Sequence, residues 1–184
     1  MTTYHFERKK MNRGNWIQTF TGRKFYPMDP RPEDIDIVDI AHALSLLCRY
    51  NGHCGQFYSV AEHSLRMSDA KELPGDSRWR LMHDAAEAYL GDIPSPIKAM
   101  LPKFTTMENV ILEAIGERFG LGRMNQTYIH AADRVMLATE KRDIIIKNIE
   151  WPIYLPEPLK NKIIPMSSVY VEQFFLQKAK ELGI

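Results

Sequence analysis

Over most of the chain, apolar positions recur at helical spacing. From Asp36 onward, Ile37, Ile40, Ala41, Leu44, Leu47 and Cys48 fall three and four apart, the period that lines one face of an α-helix. Asn51 and Gly52 are expected to stop that helix. The run Ser59-Val60-Ala61-Glu62 has the form of a capping box, in which a Ser oxygen and a Glu carboxylate satisfy the free amides of a helix start. A helix is therefore predicted over 59–68. After Pro74, Gly75 and Asp76, the residues Trp79, Met82, Ala86 and Tyr89 share one face of a helix ending near Gly91, and the segment 93–96 must leave it. Thr105 to Glu108 repeats the capping pattern ahead of Met107, Ile111, Ile115 and Phe119. Two further helices are predicted over 125–146 and 167–182. Between them Pro152, Pro156, Pro158 and Pro165 mark a long irregular connection, since proline cannot continue a helix. Ahead of this series, Trp16 to Met28 alternates around Thr21 and Gly22 as a short β-hairpin would. The expected fold class is all-α, a helical bundle with a short N-terminal hairpin.

Composition narrows the classes. A chain of 184 residues is the size of one ordinary domain, and no repeat or Gly/Ser linker divides it. One domain over 1–184 is expected, with the hairpin or arm at about 1–35. The 45% hydrophobic and 26% charged content is that of a soluble globular protein. No apolar run approaches the roughly 20 residues needed to span a bilayer. Met1 to Arg13 carries Lys and Arg without the apolar stretch of a secretory signal, so no membrane association and a cytoplasmic location are expected. The two cysteines, Cys48 and Cys54, are too few for a disulfide framework and lack the spacing of a zinc knuckle. A formal net charge of +1 with scattered Lys and Arg disfavours extended nucleic-acid binding. A single nucleotide, whose few phosphates need only local cations, is not excluded.

Several polar groups sit where apolar ones belong. Asp133 falls in the series Ile129, Asp133, Met136, Leu137, the face its helix should bury, and an unpaired buried carboxylate is costly. His63 lies between Val60 and Met67, at i−3 and i+4. His83 and Asp84 come from another helix, with Glu87 one turn on, so all three can point into one pocket. A lone His on an apolar face is ordinarily a hydrogen-bonded core residue. Four such groups on three helices are better explained by a divalent ion. Two His and two Asp supply four N/O ligands and leave positions for water and a substrate oxygen. His42, His53 and His130 have no comparable context and are expected to be structural or surface residues, and Glu62 is explained by the capping box.

The runs Ser59-Val60-Ala61-Glu62-His63-Ser64, His83-Asp84-Ala85-Ala86-Glu87, Gly91-Asp92-Ile93-Pro94-Ser95-Pro96-Ile97-Lys98 and Ala132-Asp133 resemble the HD superfamily of phosphohydrolases, within it the 5'-deoxynucleotidase branch. The resemblance covers about 39–139. It implies an HD-domain helical bundle with His63, His83, Asp84 and Asp133 as metal ligands, and Glu87 and Asp92 as the acid/base and water-positioning carboxylates. Relatives place an Arg and an aromatic about fourteen positions ahead of the first metal His, as Arg49-Tyr50 stand here. Arg suits bidentate phosphate binding, and Tyr can pack on a sugar or base. Those relatives carry Trp in place of Tyr50 and a longer segment between the first His and the His-Asp pair. Lys98 resembles a phosphate-binding lysine. The implied activity is hydrolysis of a deoxynucleoside 5'-monophosphate. Small phage dATP triphosphohydrolases share the same motifs, which makes dNTP triphosphohydrolysis the alternative and, for a phage-encoded chain, places it in the host cytoplasm. Arg13, Arg23, Lys24, Arg31 and Lys103 are candidate extra cations for a triphosphate. A reading of another class is a module that senses a nucleotide without cleaving it, against which the retained Glu87 speaks. The partner expected is a small-molecule nucleotide, with manganese, cobalt, zinc, iron or magnesium as the ion. A homo-oligomer is implied by the resemblance, through the C-terminal helix with Phe174 and Phe175, residues that serve equally well as core.

Overall fold

A computed structural model describes residues 13–147 and 149–184. Of the basic N-terminal stretch, only Arg13 lies within the described residues. Among the described residues, a hairpin of β1 (Ile17–Gln18) and β2 (Lys24–Phe25) precedes eight α-helical segments: α1 (Ile37–Leu46), α2 (Val60–Asp69), α3 (Ser77–Met82), α4 (Glu87–Leu90), α5 (Ser95–Lys98), α6 (Pro102–Arg118), α7 (Gln126–Asp143) and α8 (Ser168–Glu181). The expected all-α architecture with a short N-terminal hairpin is what forms. Among the described residues no helix is long and apolar enough to cross a membrane.

The bundle is organised around α2. It packs against α1, α3, α7 and α8, and Val60, Ala61, Glu62, His63, Ser64, Leu65, Met67 and Ser68 are all buried. A helix enclosed on nearly every side holds any functional group it carries at a fixed place. α8 closes the other side of α1 and α2 through Val171, Phe175 and Ala179, each almost fully buried. Phe175 is thus core, whereas Phe174 is exposed and stacks on Tyr170. The hairpin pairs Ile17 with Phe25 and Gln18 with Lys24. It is pinned to α1 by the buried Asp39, which accepts from the Thr21 amide at 2.7 Å and hydroxyl at 2.9 Å, and to α4 by Phe25 stacking on Tyr89 at 3.8 Å.

Three element boundaries differ from the periodicity. α1 stops at Leu46, ahead of Asn51 and Gly52, because Leu47 turns extended and its carbonyl accepts the Val60 amide at 3.0 Å. The helix predicted through Trp79 and Tyr89 is interrupted between Met82 and Glu87. α6 opens at Pro102, before Thr105, since proline at the first helical position forfeits no hydrogen bond. At α2 the Ser59 hydroxyl caps the Glu62 amide at 3.1 Å as expected. The Glu62 carboxylate, however, turns to Arg66 at 2.7 Å and to the Met166 amide at 3.1 Å. It thereby anchors the irregular 144–167 connection, which α7 also holds: Thr139 accepts the Leu159 amide at 2.9 Å and Asp143 the Ile163 amide at 2.8 Å.

Candidate metal centre

The interruption after α3 builds one side of the site. From Met82 to Tyr89 the backbone winds with i→i+3 bonds, the Ala85 amide to the Met82 carbonyl at 3.0 Å and the Glu87 amide to that of Asp84 at 2.9 Å. Three residues per turn align positions three apart, so Asp84 and Glu87 lie on one line. His83 leads this turn, its Nδ1 donating to the Arg80 carbonyl at 3.0 Å.

Side chains from α2, this turn and α7 converge. His63 Nε2 lies 3.3 Å from His83 Nε2 and 3.2 Å from Asp133 Oδ1. Asp84 Oδ2 lies 3.2 Å from His83 Nε2 and 3.8 Å from His63 Nε2. Both Nδ1 atoms are committed as donors, His63 to Glu140 Oε1 at 2.6 Å and His83 to a carbonyl. Once Nε2 has lost its proton, imidazoles anchored in this way direct their Nε2 lone pairs at each other. Two such lone pairs at 3.3 Å, flanked by two carboxylates, call for a cation between them, and outer partners on Nδ1 are how metal-binding histidines are oriented. His63, His83 and Asp133 can therefore bind a metal ion, and the donor set fits a divalent one. The charges agree. Burial and Arg49 work to lower the His63 pKa, but Glu140 and Asp133 overcome them and raise it to about 9. Burial works to raise that of Asp84, and His83, His63 and Arg49 bring it below the ordinary carboxylate range.

Arg49 and Tyr50 border this cluster. They begin a short turn, Arg49–Gly52, in which Tyr50 and Asn51 take the left-handed conformation, at φ 57° and 50°. Arg49 Nη1 is 3.4 Å from Asp84 Oδ2, and its Nε is 3.3 Å from Glu140 Oε2, which also accepts the Tyr50 hydroxyl. Trp151, from the irregular connection, stands against Tyr50 with ring centroids 6.4 Å apart.

On the far side, Glu87 is 4% exposed, and its Oε2 has no hydrogen-bond partner among the described residues. Burial, with the charges of Asp84 and Asp92, pushes its carboxyl well above the usual range. Asp92 follows Gly91, whose φ of 82° and ψ of 156° end α4. Burial also raises the Asp92 pKa, against the pull of Arg49. Lys98 is 3.5 Å from Glu87 and 2.7 Å from Glu108, so its ammonium is already paired with two carboxylates.

All nine residues singled out from the sequence thus fall within one connected region. Glu140 is the residue that reading missed. It continues the face of Ile129, Asp133 and Met136 by one more turn, where Asp133 is partly exposed at the site and Ile129, Met136 and Glu140 are buried, and a carboxylate at a core position was the available signal. His53 and His130 are exposed, and His42 pairs with Glu172 at 3.1 Å and stacks on Phe20, as their lack of motif context implied. Arg13 and Arg31 pair with Asp29, Arg13 also with Asp34, Arg23 with Asp36, and Lys24 covers the Trp16 ring.

A scan against protein-family models finds no match. The chain is 38% identical over 173 residues, 92% of its length and 96% of the relative's, to the uncharacterized protein YfdR of Escherichia coli (strain K12). It is 39% identical over 142 residues, 70% of its length and 72% of the relative's, to the uncharacterized protein RCAP_rcc00048 of Rhodobacter capsulatus. With that identity over nearly the whole of both chains, this protein belongs to the family that includes Escherichia coli YfdR.

Proposed function

We propose that the protein is a metal-dependent phosphohydrolase of HD type that converts deoxynucleoside 5'-monophosphates to deoxynucleoside and phosphate. The observation that carries this reading is the pair of anchored imidazoles facing each other at 3.3 Å beside Asp84 and Asp133, with a neutral-leaning carboxyl and an Arg at the rim. A divalent ion held by His63, His83, Asp84 and Asp133 would acidify water and withdraw charge from a phosphoryl oxygen. Arg49 stands in ion-pair range of Asp84 and Glu140, while its buried Nε makes no hydrogen bond among the described residues, and its guanidinium is the group to bind the phosphate. Glu87, whose pKa is raised, is the group to give a proton to the departing alkoxide as a general acid. Asp92, with no hydrogen bond or ion pair among the described residues, is available to orient the attacking water. Lys98 keeps Glu87 in place and sets the local charge.

The choice of a monophosphate over a triphosphate has its own support. Of the two cations beside Glu87 and Asp92, Lys98 is paired with Glu87 and Glu108, which leaves Arg49 for the substrate, a complement suited to one phosphate. Arg13, Arg23 and Arg31 are engaged with Asp29, Asp34 and Asp36. The test is chromatography of products after incubating metal-free and metal-loaded protein with deoxynucleoside mono- and triphosphates, with Asp84→Ala as control. Metal-dependent free phosphate from monophosphates is the expected result. Inorganic triphosphate from a dNTP would replace this substrate by the other, and no product with any metal would remove the hydrolase reading.

A further inference from the structure

Glu140 is fully buried, and its two oxygens serve different parts of the site. Oε1 accepts Nδ1–H of His63 at 2.6 Å, while Oε2 accepts the Tyr50 hydroxyl and lies 3.3 Å from Arg49 Nε. A buried carboxylate is a costly way to fill a helix face, since an apolar residue of similar volume generally packs there with equal or better stability. The turn that Glu140 grips is itself strained. Tyr50 and Asn51 hold positive φ angles without being glycine, and Gly52 follows at φ 79°. Such conformations persist only where the surroundings over-determine them. Here the constraints are the Tyr50–Glu140 bond, the Arg49 amide on the Tyr58 carbonyl and the His53 amide on the Tyr50 carbonyl, both at 2.9 Å.

We propose that Glu140 is a positioning residue that ties the Arg49–Gly52 turn to the metal centre. One oxygen fixes the tautomer and ring orientation of His63, so that Nε2 faces the ion. The other holds the turn in its left-handed form, so that the guanidinium of Arg49 meets the substrate phosphate beside that ion. The inference rests on the proposed function only in taking Arg49 as the phosphate ligand. The two halves are separable because each oxygen has its own partners. Tyr50→Phe cuts the hold on the turn and leaves the His63 bond intact. Glu140→Gln removes the charge from both.

The experiment uses the full chain and three readouts: Mn²⁺ affinity by competition with a chelating dye, inorganic phosphate affinity of the Mn²⁺-loaded protein by calorimetry, and kcat and KM for a deoxynucleoside monophosphate. Tyr50→Phe should weaken phosphate binding and raise KM by about tenfold, the scale of a hydrogen bond to a charged group, with Mn²⁺ affinity unchanged. Glu140→Gln should in addition weaken Mn²⁺ binding by about 10–100-fold, as loss of outer partners of metal ligands does. Unchanged Mn²⁺ affinity in Glu140→Gln would overturn the His63 half. Unchanged phosphate affinity in Tyr50→Phe, or no phosphate binding by the Mn²⁺-loaded wild type, would overturn the other. Should Glu140→Gln not fold, Glu140→Asp, which keeps the charge but shortens its reach, decides the His63 half by the same titration. Wild-type protein that binds Mn²⁺ and phosphate but turns over no nucleotide would sink the proposed function while these affinities still decide the role of Glu140.

Discussion

Replacing Glu87 with Gln should separate catalysis from stability. The side chain is 4% exposed, and burial with the charges of Asp84 and Asp92 raises its pKa. Glutamine keeps the shape and has no proton to transfer. General acid catalysis contributes about 10²–10⁴-fold, so kcat should fall by that factor, about 3–5 kcal/mol of transition-state stabilisation. Stability should move the other way. An acid whose pKa is higher in the folded protein contributes most below its unfolded value near 4.5, and that contribution is lost as pH rises through the folded value. Gln abolishes this titration. The main interaction surrendered is the 3.5 Å contact with Lys98, which retains Glu108 at 2.7 Å. The melting temperature of the variant should therefore equal the wild type near pH 5 and equal or exceed it at pH 8. The assay is phosphate release from a deoxynucleoside monophosphate at saturating metal, with calorimetric melts at both pH values and a metal titration. A kcat within about tenfold of wild type, below the range general acids supply, would show that Glu87 is not the proton donor. A lower melting temperature at pH 8 would show that it serves instead as a structural counter-ion for Lys98.

Three further outcomes follow from the same geometry. His63 titrates at about 9 in the metal-free protein, so its contribution to stability is complete below its ordinary value of 6.5 and is lost as pH rises through 9. Metal-free melting temperatures should fall over that window, and metal affinity should climb over it as the competing proton leaves, both readable by calorimetry. Gly91→Ala forces a side chain into a conformation at φ 82° and ψ 156° that costs about 1–3 kcal/mol. With no atom near the added Cβ, it should shift Asp92 and lower kcat more than metal affinity, as kinetics and titration would show. Phe175→Ala, at a fully buried position, should cost about 3–5 kcal/mol in denaturant unfolding, whereas Phe174→Ala, half-exposed beside Tyr170, should cost about 0.5 kcal/mol or less.

The sequence carried faces better than it carried partners. Helical periodicity identified α2 and α7 as buried, and a charged or imidazole group on a buried face is an anomaly visible without coordinates, which is how His63 and Asp133 stood out. Glu140 lies on the same face and carries the same anomaly. What periodicity does not supply is the partner that makes a buried carboxylate tolerable, here the separated residues His63, Tyr50 and Arg49. The left-handed turn was equally hidden. Asn51 and Gly52 are residue types that favour a positive φ, but Tyr50 adopts its own under tertiary constraint that local preference does not encode. The start of α6 was legible in principle from Pro102, and the capping pattern at Thr105 drew the boundary three residues too far along the chain.

The interruption at His83 shows most clearly how local preference and function part ways. The run from Ala85 to Leu90 consists of good helix formers except for Tyr89, and nothing in it calls for a break. Ala85 and Ala86 are fully buried, so packing, not propensity, selects the tighter winding there. The change has a geometric consequence. Three residues of α-helix advance about 4.5 Å, whereas three of the tighter helix advance about 6 Å and stay in line. Asp84 and Glu87 are thereby set one above the other and farther apart than an α-helix would place them. The Asp84 carboxylate stays at the imidazoles, and the carboxyl with the raised pKa stands off from them, on the side where Lys98 holds it. Two carboxylates one turn apart on a regular helix would crowd each other. The break leaves one of them beside the imidazoles and the other beside Lys98.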